Sequence, residues 1–297
     1  MYSQIDSNKR KTAILISLFI AFVLLIGWTF SIYSESGYFG IGIAAIFSIG
    51  MTLIGYYQGD KVALMASGAR AITSGENLYV SRMVENLSIT SGISAPKIYI
   101  IDDSAINAFA TGRDPKHASI AITRGAIEKL ENEELEGVIA HELSHIKNYD
   151  IRLMTVILVL VGLIALLSDW FIRVRWFRGS SSRDSRGASG IQLVVLVMGL
   201  VLLILAPIIG KIIQLAISRK REFLADASGA LLTRYPEGLA RALEKIGTQN
   251  QPLARANNAT AHLYIANPFA TTKHFLSSLF STHPPLEERI KELRSMA

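Results

Sequence analysis

Four long apolar runs limit what this chain can fold into: Ala13–Phe30, Tyr38–Tyr57, Leu153–Leu167 and Ile191–Ile213. A helix crosses the hydrocarbon of a bilayer with about 20 mostly apolar residues. The first, second and fourth runs meet that length or nearly so, and the third is short. No acidic or basic side chain falls in the central part of any run before Lys211. The expectation is a mainly α integral membrane protein with about four transmembrane helices. Lys9, Arg10 and Lys11 ahead of the first run imitate a secretion signal. No small-x-small cleavage site follows and a second apolar run comes at once, so an uncleaved span is expected.

The net charge of +6 is then read as the bias of Lys and Arg toward the cytoplasmic side rather than as a nucleic-acid surface, because no basic stripe is interleaved with aromatics. Residues 9–11 and the cluster Arg219, Lys220, Arg221 mark cytoplasmic ends, which puts the turn at 34–40 outside and the long segment 58–150 inside. The stretch 173–187, "RVRWFRGSSSRDSRG", carries five arginines between the third and fourth runs. Either it lies outside against the charge bias, or those two runs form a hairpin that does not fully cross. The expected organisation is two membrane helices in 1–57, a first soluble part in 58–150, a membrane hairpin in 151–217 and a second soluble part in 218–297.

Within the soluble parts, 58–96 has helical spacing of Met83, Val84 and Leu87. "KIYIID" (97–102), "AINAFATG" (105–112) and "ASIAIT" (118–123) read as strands of a small sheet. A short helix is expected over 124–130. Asn132 is expected to cap a second one whose first turn, with Glu133, Glu134 and Glu136, sets negative charge at its positive end. That helix is expected to run through 138–149 toward the third apolar run. Further helices are expected over about 218–232, over 236–246 and at the C-terminus.

The chemistry sits in "VIAHELSHIKNYD", 138–150. His141 and His145, four apart, share one helix face and can reach a single ion, while Glu142 lies beside them without ligating it. Val138, Ile139, Leu143 and Ile146 supply the apolar face that buries the helix. A catalytic zinc site needs three protein ligands and an open position. The chain has no cysteine, so thiolate ligands and disulfides are excluded and the third ligand is expected to be a carboxylate. "SRKREFLADASGALL" offers Glu222 and Asp226, four apart on a helix. Glu222 is assigned to the ion, and Asp226 to the far nitrogen of a ligating histidine, where it fixes the tautomer. Taken alone, that segment reads rather as an ordinary charged helix beside a membrane. Its position decides: the His141 helix leads into the third apolar run and the Glu222 helix leaves the fourth, so packing the two arms unites the ligands at the cytoplasmic face.

With these motifs in order, the chain resembles the HtpX-type membrane zinc metalloproteases, in the gluzincin group that also includes the type 1 CAAX prenyl proteases. The likeness covers nearly the whole chain: paired N-terminal spans, "NAFATG", "HELSHI", a membrane hairpin, "REFLADASGA" and "THPPLEERI". It implies a cytoplasmic α+β protease domain in a bacterial cytoplasmic (inner) membrane, with one zinc ion on His141, His145 and Glu222. It also implies an endopeptidase that clears misfolded or damaged membrane proteins, with Glu142 as the general base. His283, in "STHPP", is either an oxyanion donor or a loop histidine. Asn107 either aligns the substrate backbone at an edge strand or serves a turn. His117, His262 and His274 are expected to be surface or packing residues. The competing readings are a membrane scaffold or regulator with a structural zinc, and a processing protease of narrow specificity. Glu142 argues against the scaffold, since a structural site needs no carboxylate there. Protein substrates and the lipid bilayer are the expected partners, and the oligomeric state is left open.

Overall fold

A computed structural model describes residues 2–33, 37–73, 75–163, 219–249, 251–257, 259–269 and 284–296. The end of the third apolar run, the whole fourth, the arginine-rich stretch, His274 and His283 lie outside the described residues. Among the described residues two helices are long and apolar enough to span a membrane: α1 (Tyr2–Tyr33), over Ile5–Thr29, and α2 (Phe39–Ser67). Both expose large apolar side chains, among them Leu18, Trp28, Ile46 and Leu53, as a lipid-facing surface requires. Their inner faces meet α6 (150–163), where Phe19, Val23 and Ala44 pack with Val156, Val159 and Leu160. Gly55 and Gly59 of α2 lie under Val159 and Thr155, with no room for a side chain. Small residues at such crossings let backbones approach closely, the usual device of helix pairs in lipid.

The rest builds on a four-stranded sheet, β1 (Ala69–Ala71), β2 (Lys97–Ile101), β3 (Ala108–Gly112) and β4 (Ala118–Thr123), in the order β1-β2-β4-β3. β2 and β4 are parallel and the other neighbours antiparallel, so β3 is an edge strand. Side chains alternate between two cores, as the pleat demands. Ala108, Ala110, Ile120 and Ile122 face Val138, Ile139 and Leu143 of α5 (Asn132–Lys147). Phe109 and Ala121 face the opposite side, against Ala63 and Leu64 of α2 and Met154 and Leu158 of α6. The sheet is thus sandwiched between α5 and the ends of the membrane helices. α3 (Leu78–Ser91), α7 (Arg219–Thr233), α8 (Pro236–Gln249) and α9 (Leu286–Arg294) complete the α5 side, and α4 (Arg124–Lys129) follows β4 directly.

Three local expectations change. α2 runs past Tyr57 to Ser67, and the three-residue strand β1 follows it, so 58–77 is not one helical segment. The N-cap of α5 is Glu131, one residue before Asn132, in a reciprocal capping box with Glu134. The helix of His141 is not continuous with the third apolar run. It ends at Lys147, Tyr149 adopts φ +60°, and a new helix starts at Asp150. That left-handed conformation costs a non-glycine residue roughly 1–2 kcal/mol. Here the Tyr149 ring is flanked by Lys9 and Arg152, each 5.0 Å from its centre.

Candidate metal centre

α5 crosses α7 at Gly229, where an added Cβ would lie 3.1 Å from the backbone nitrogen of His141. This close approach brings the first turn of α7 over the second half of α5. His141, His145 and Glu222 converge there, with 0%, 5% and 0% of their surface exposed. His141 Nε2 and His145 Nε2 are 3.1 Å apart. The Glu222 carboxylate is 3.9 Å from the first and 3.6 Å from the second. Four ligands set tetrahedrally around zinc at about 2.0–2.1 Å lie about 3.3–3.5 Å from one another. The three donors present therefore fit one ion to within a few tenths of an ångström.

The outer nitrogens point to carboxylates. His145 Nδ1 is 3.0 Å from Asp150 Oδ2, and His141 Nδ1 is 2.9 Å from Asp226 Oδ1, the latter off the line of a well-directed hydrogen bond. Asp226 is gripped from behind by Arg289 of α9, fully buried, with Nε donating to Oδ2 at 2.8 Å and Nη2 to Oδ1 at 2.7 Å. Arg289 Nη1 donates to the Ile265 carbonyl at 2.9 Å and lies 3.8 Å from Glu222 Oε2. Asp150 also accepts from Arg221 Nη1 at 3.3 Å.

The electrostatics of the two histidines diverge. Burial pulls His141 down to about 4, against the opposing pull of Asp226. Burial acts on His145 in the same direction, but the Asp150 hydrogen bond and the charges of Glu222, Asp150 and Glu142 outweigh it and push it up to about 9. His145 therefore favours its protonated form, and its Nε2 faces His141 Nε2 across 3.1 Å. Glu142 is 2% exposed. Burial, aided by Glu222, raises its carboxyl to about 7, although His145, the Ala110 N–H and Arg289 favour its ionised form.

The residues singled out in the sequence separate cleanly. His141, Glu142, His145, Glu222 and Asp226 lie together. Asn107 is buried at the start of β3, where its Nδ2 donates to the Ala266 carbonyl at 3.2 Å and its Oδ1 accepts from the Ala108 N–H at 3.1 Å. His117 is exposed against Asp114, and His262 is buried with Nε2 3.0 Å from the Met154 carbonyl. Sequence reasoning missed Asp150, Arg221 and Arg289. Asp150 had a faint signal, a carboxylate just past the second histidine. Arg289 stood inside a quoted motif without a role.

Comparison with known proteins agrees with this geometry. Residues 74–297 match the profile of Peptidase family M48. A "Protease HtpX homolog" of Caldanaerobacter subterraneus subsp. tengcongensis is 46% identical over 298 residues, which cover 100% of this chain and 98% of that protein. One from Dictyoglomus thermophilum is 47% identical over 295 residues, 99% of this chain and 94% of that protein. The crystal structure of S. mikatae Ste24p shares the fold, with a TM-score of 0.51 at 20% identity over 99% of this chain and 67% of that one. Two membrane-length helices joined to a cluster of two histidines and a glutamate are what a membrane-bound member needs. The chain belongs to Peptidase family M48 and is a membrane zinc metalloprotease.

Proposed function

We propose that this chain is a multi-pass endopeptidase of the bacterial cytoplasmic membrane that cuts misfolded or damaged membrane proteins on the cytoplasmic side. The observation that carries the proposal is the union of two anchoring helices with the three donors at 3.1–3.9 Å. The side follows from charge. Lys9, Arg10 and Lys11 lie at the start of α1, and Arg219, Lys220 and Arg221 at the start of α7, and positive residues stay inside. Asn8 and Arg221 both touch Asp150, so these two basic ends and the metal centre share one side. The division into 1–57, 58–150, 151–217 and 218–297, with four crossings in all, belongs to the same proposal.

His141, His145 and Glu222 are assigned to zinc. When bound, zinc supplies Lewis-acid chemistry, making a water nucleophilic near neutral pH and polarising the scissile carbonyl. Every other step belongs to the chain. Asp150 and Asp226 hold the imidazoles in the tautomer that turns Nε2 inward. Glu142, with a carboxyl near neutrality, takes the proton of the attacking water and passes it to the leaving nitrogen. Ala110 keeps Glu142 beside the edge strand β3, along which an extended substrate can lie. Asn107 supports alignment indirectly, by tying the first residue of that strand to the segment at Ala266. His283 is kept as a candidate oxyanion donor.

Full-length protein in lipid, stripped of metal and resupplied with zinc, should cleave casein and a misfolded membrane protein. Cleavage of casein alone would leave a soluble-substrate protease, and cleavage of neither would leave a zinc-holding scaffold.

A further inference from the structure

The first membrane helix reaches the metal centre. Asn8, in the second turn of α1 and ahead of the apolar run that begins at Ala13, is 1% exposed and wedged against the break between α5 and α6. Its Nδ2 donates to the Asn148 carbonyl at 3.0 Å and to Asp150 Oδ1 at 2.7 Å. Both partners are acceptors, which fixes the amide with its nitrogen facing them. The two bonds straddle Tyr149, the residue in the left-handed conformation. The other oxygen of Asp150 is the one 3.0 Å from His145 Nδ1. A relay therefore runs from α1, through Asp150, to an imidazole that faces the metal site.

The strength of each link decides how much rests on Asn8. A carboxylate turns easily about its last torsion unless both oxygens are tied. Arg221 bonds Asp150 Oδ1 at 3.3 Å, while Asn8 bonds the same oxygen at 2.7 Å. Asn8 is thus the shorter tether on the far side of the carboxylate from His145. Without it, Asp150 is one donor short in a buried site, Oδ1 is left to the longer Arg221 bond, and the carboxylate is held less firmly on Nδ1. The carbonyl of Asn148, which caps α5, loses its side-chain partner at the same time.

We propose that Asn8 is a positioning residue of the metal centre, holding Asp150 on His145 so that the site is complete only with the first membrane helix docked. The inference rests on the assignment of His145 to zinc made above. A purely structural role for Asn8 would stabilise helix docking and leave the imidazole unaffected.

The test uses full-length protein in detergent, with zinc affinity from competition against a chromophoric chelator and the visible spectrum of the cobalt-loaded site. Asn8→Ala should weaken zinc about tenfold, the low end for outer partners of metal ligands, and shift the cobalt bands. Thr12→Val removes a buried hydroxyl one turn along the same helix, bonded to the Asn8 carbonyl at 2.9 Å, and should leave affinity and spectrum unchanged. In an Asp150→Asn background, Asn8→Ala should add no further loss. Equal losses from Asn8→Ala and Thr12→Val, or additive losses in the double variant, would overturn the relay in favour of docking alone. If Asn8→Ala does not fold, Asn8→Ser carries the same comparison, with a smaller loss expected because a hydroxyl donor remains. Wild-type affinity in both Asn8 variants defeats this inference only, whereas a wild-type chain that takes up no zinc defeats the metal assignment as well.

Discussion

Replacing Arg289 by methionine keeps an unbranched apolar stem and removes the guanidinium, with its charge and the three nitrogens that donate here. In the native chain those donors meet both oxygens of Asp226, at 2.8 and 2.7 Å, and the Ile265 carbonyl at 2.9 Å. Among the described residues, Arg289→Met leaves the buried Asp226 carboxylate with the poorly aligned His141 Nδ1 as its one nearby donor. Removing one partner of a buried ion pair costs about 3–5 kcal/mol, because the survivor stays charged and desolvated. For a chain of 297 residues each kcal/mol lowers the melting temperature by about 1.6 °C. The melting temperature in detergent should therefore fall by about 5–8 °C. The site itself should suffer too, since the positive charge of Arg289 helps to keep His141 unprotonated. Arg289→Lys should fall between, because an ammonium retains the charge and cannot fork across both oxygens. A melting temperature within about 2 °C of wild type for Arg289→Met would refute the claim that this pair secures the centre.

Three further outcomes are expected. His145 is raised to about 9 in the metal-free site, so below that pH a proton competes with the metal. Zinc uptake at neutral pH should release about one proton and its affinity should weaken about tenfold per pH unit on acidification, and uptake with no proton release would contradict this. Gly137 packs on the Leu239 backbone, where an added Cβ would lie 2.7 Å from the Leu239 nitrogen. Gly137→Ala should destabilise on balance, overpacking of about 1–3 kcal/mol outweighing the roughly 1 kcal/mol gain in helix propensity, and a higher melting temperature would show that α8 yields. A thiol at the exposed Glu128 should label only in permeabilised cells, and one at Ser182 tests separately whether 151–217 crosses the membrane.

The site was legible where one helix turn carries the information. His141 and His145, or Glu222 and Asp226, declare a shared face by their spacing, and α5 and α7 meet as the shared ligand set requires. The sheet was legible where alternation ran for five residues or more, and β1, with three, was too short to show. What sequence did not reveal depends on contacts between distant segments. Arg289 meets Asp226, and Asn8 meets Asp150, across separations that no local pattern encodes. The break at Tyr149 was hidden because neither glycine nor proline marks it; Lys9 and Arg152 against its ring, and Asn8 on the neighbouring Asn148 carbonyl, hold a conformation that tyrosine alone disfavours.

The central claim is that the metal is held by one set of side chains and the proton moved by another. Zinc content and casein cleavage measured side by side on Glu142→Gln and Glu222→Ala test it most directly. Glu142→Gln should keep near-stoichiometric zinc and lose at least about a hundredfold in rate, the share of a positioned acid–base group. Glu222→Ala should lose zinc and activity together, since two histidines alone make a weak site. Glu222→Ala with full zinc and normal cleavage, or Glu142→Gln with wild-type turnover, would contradict it.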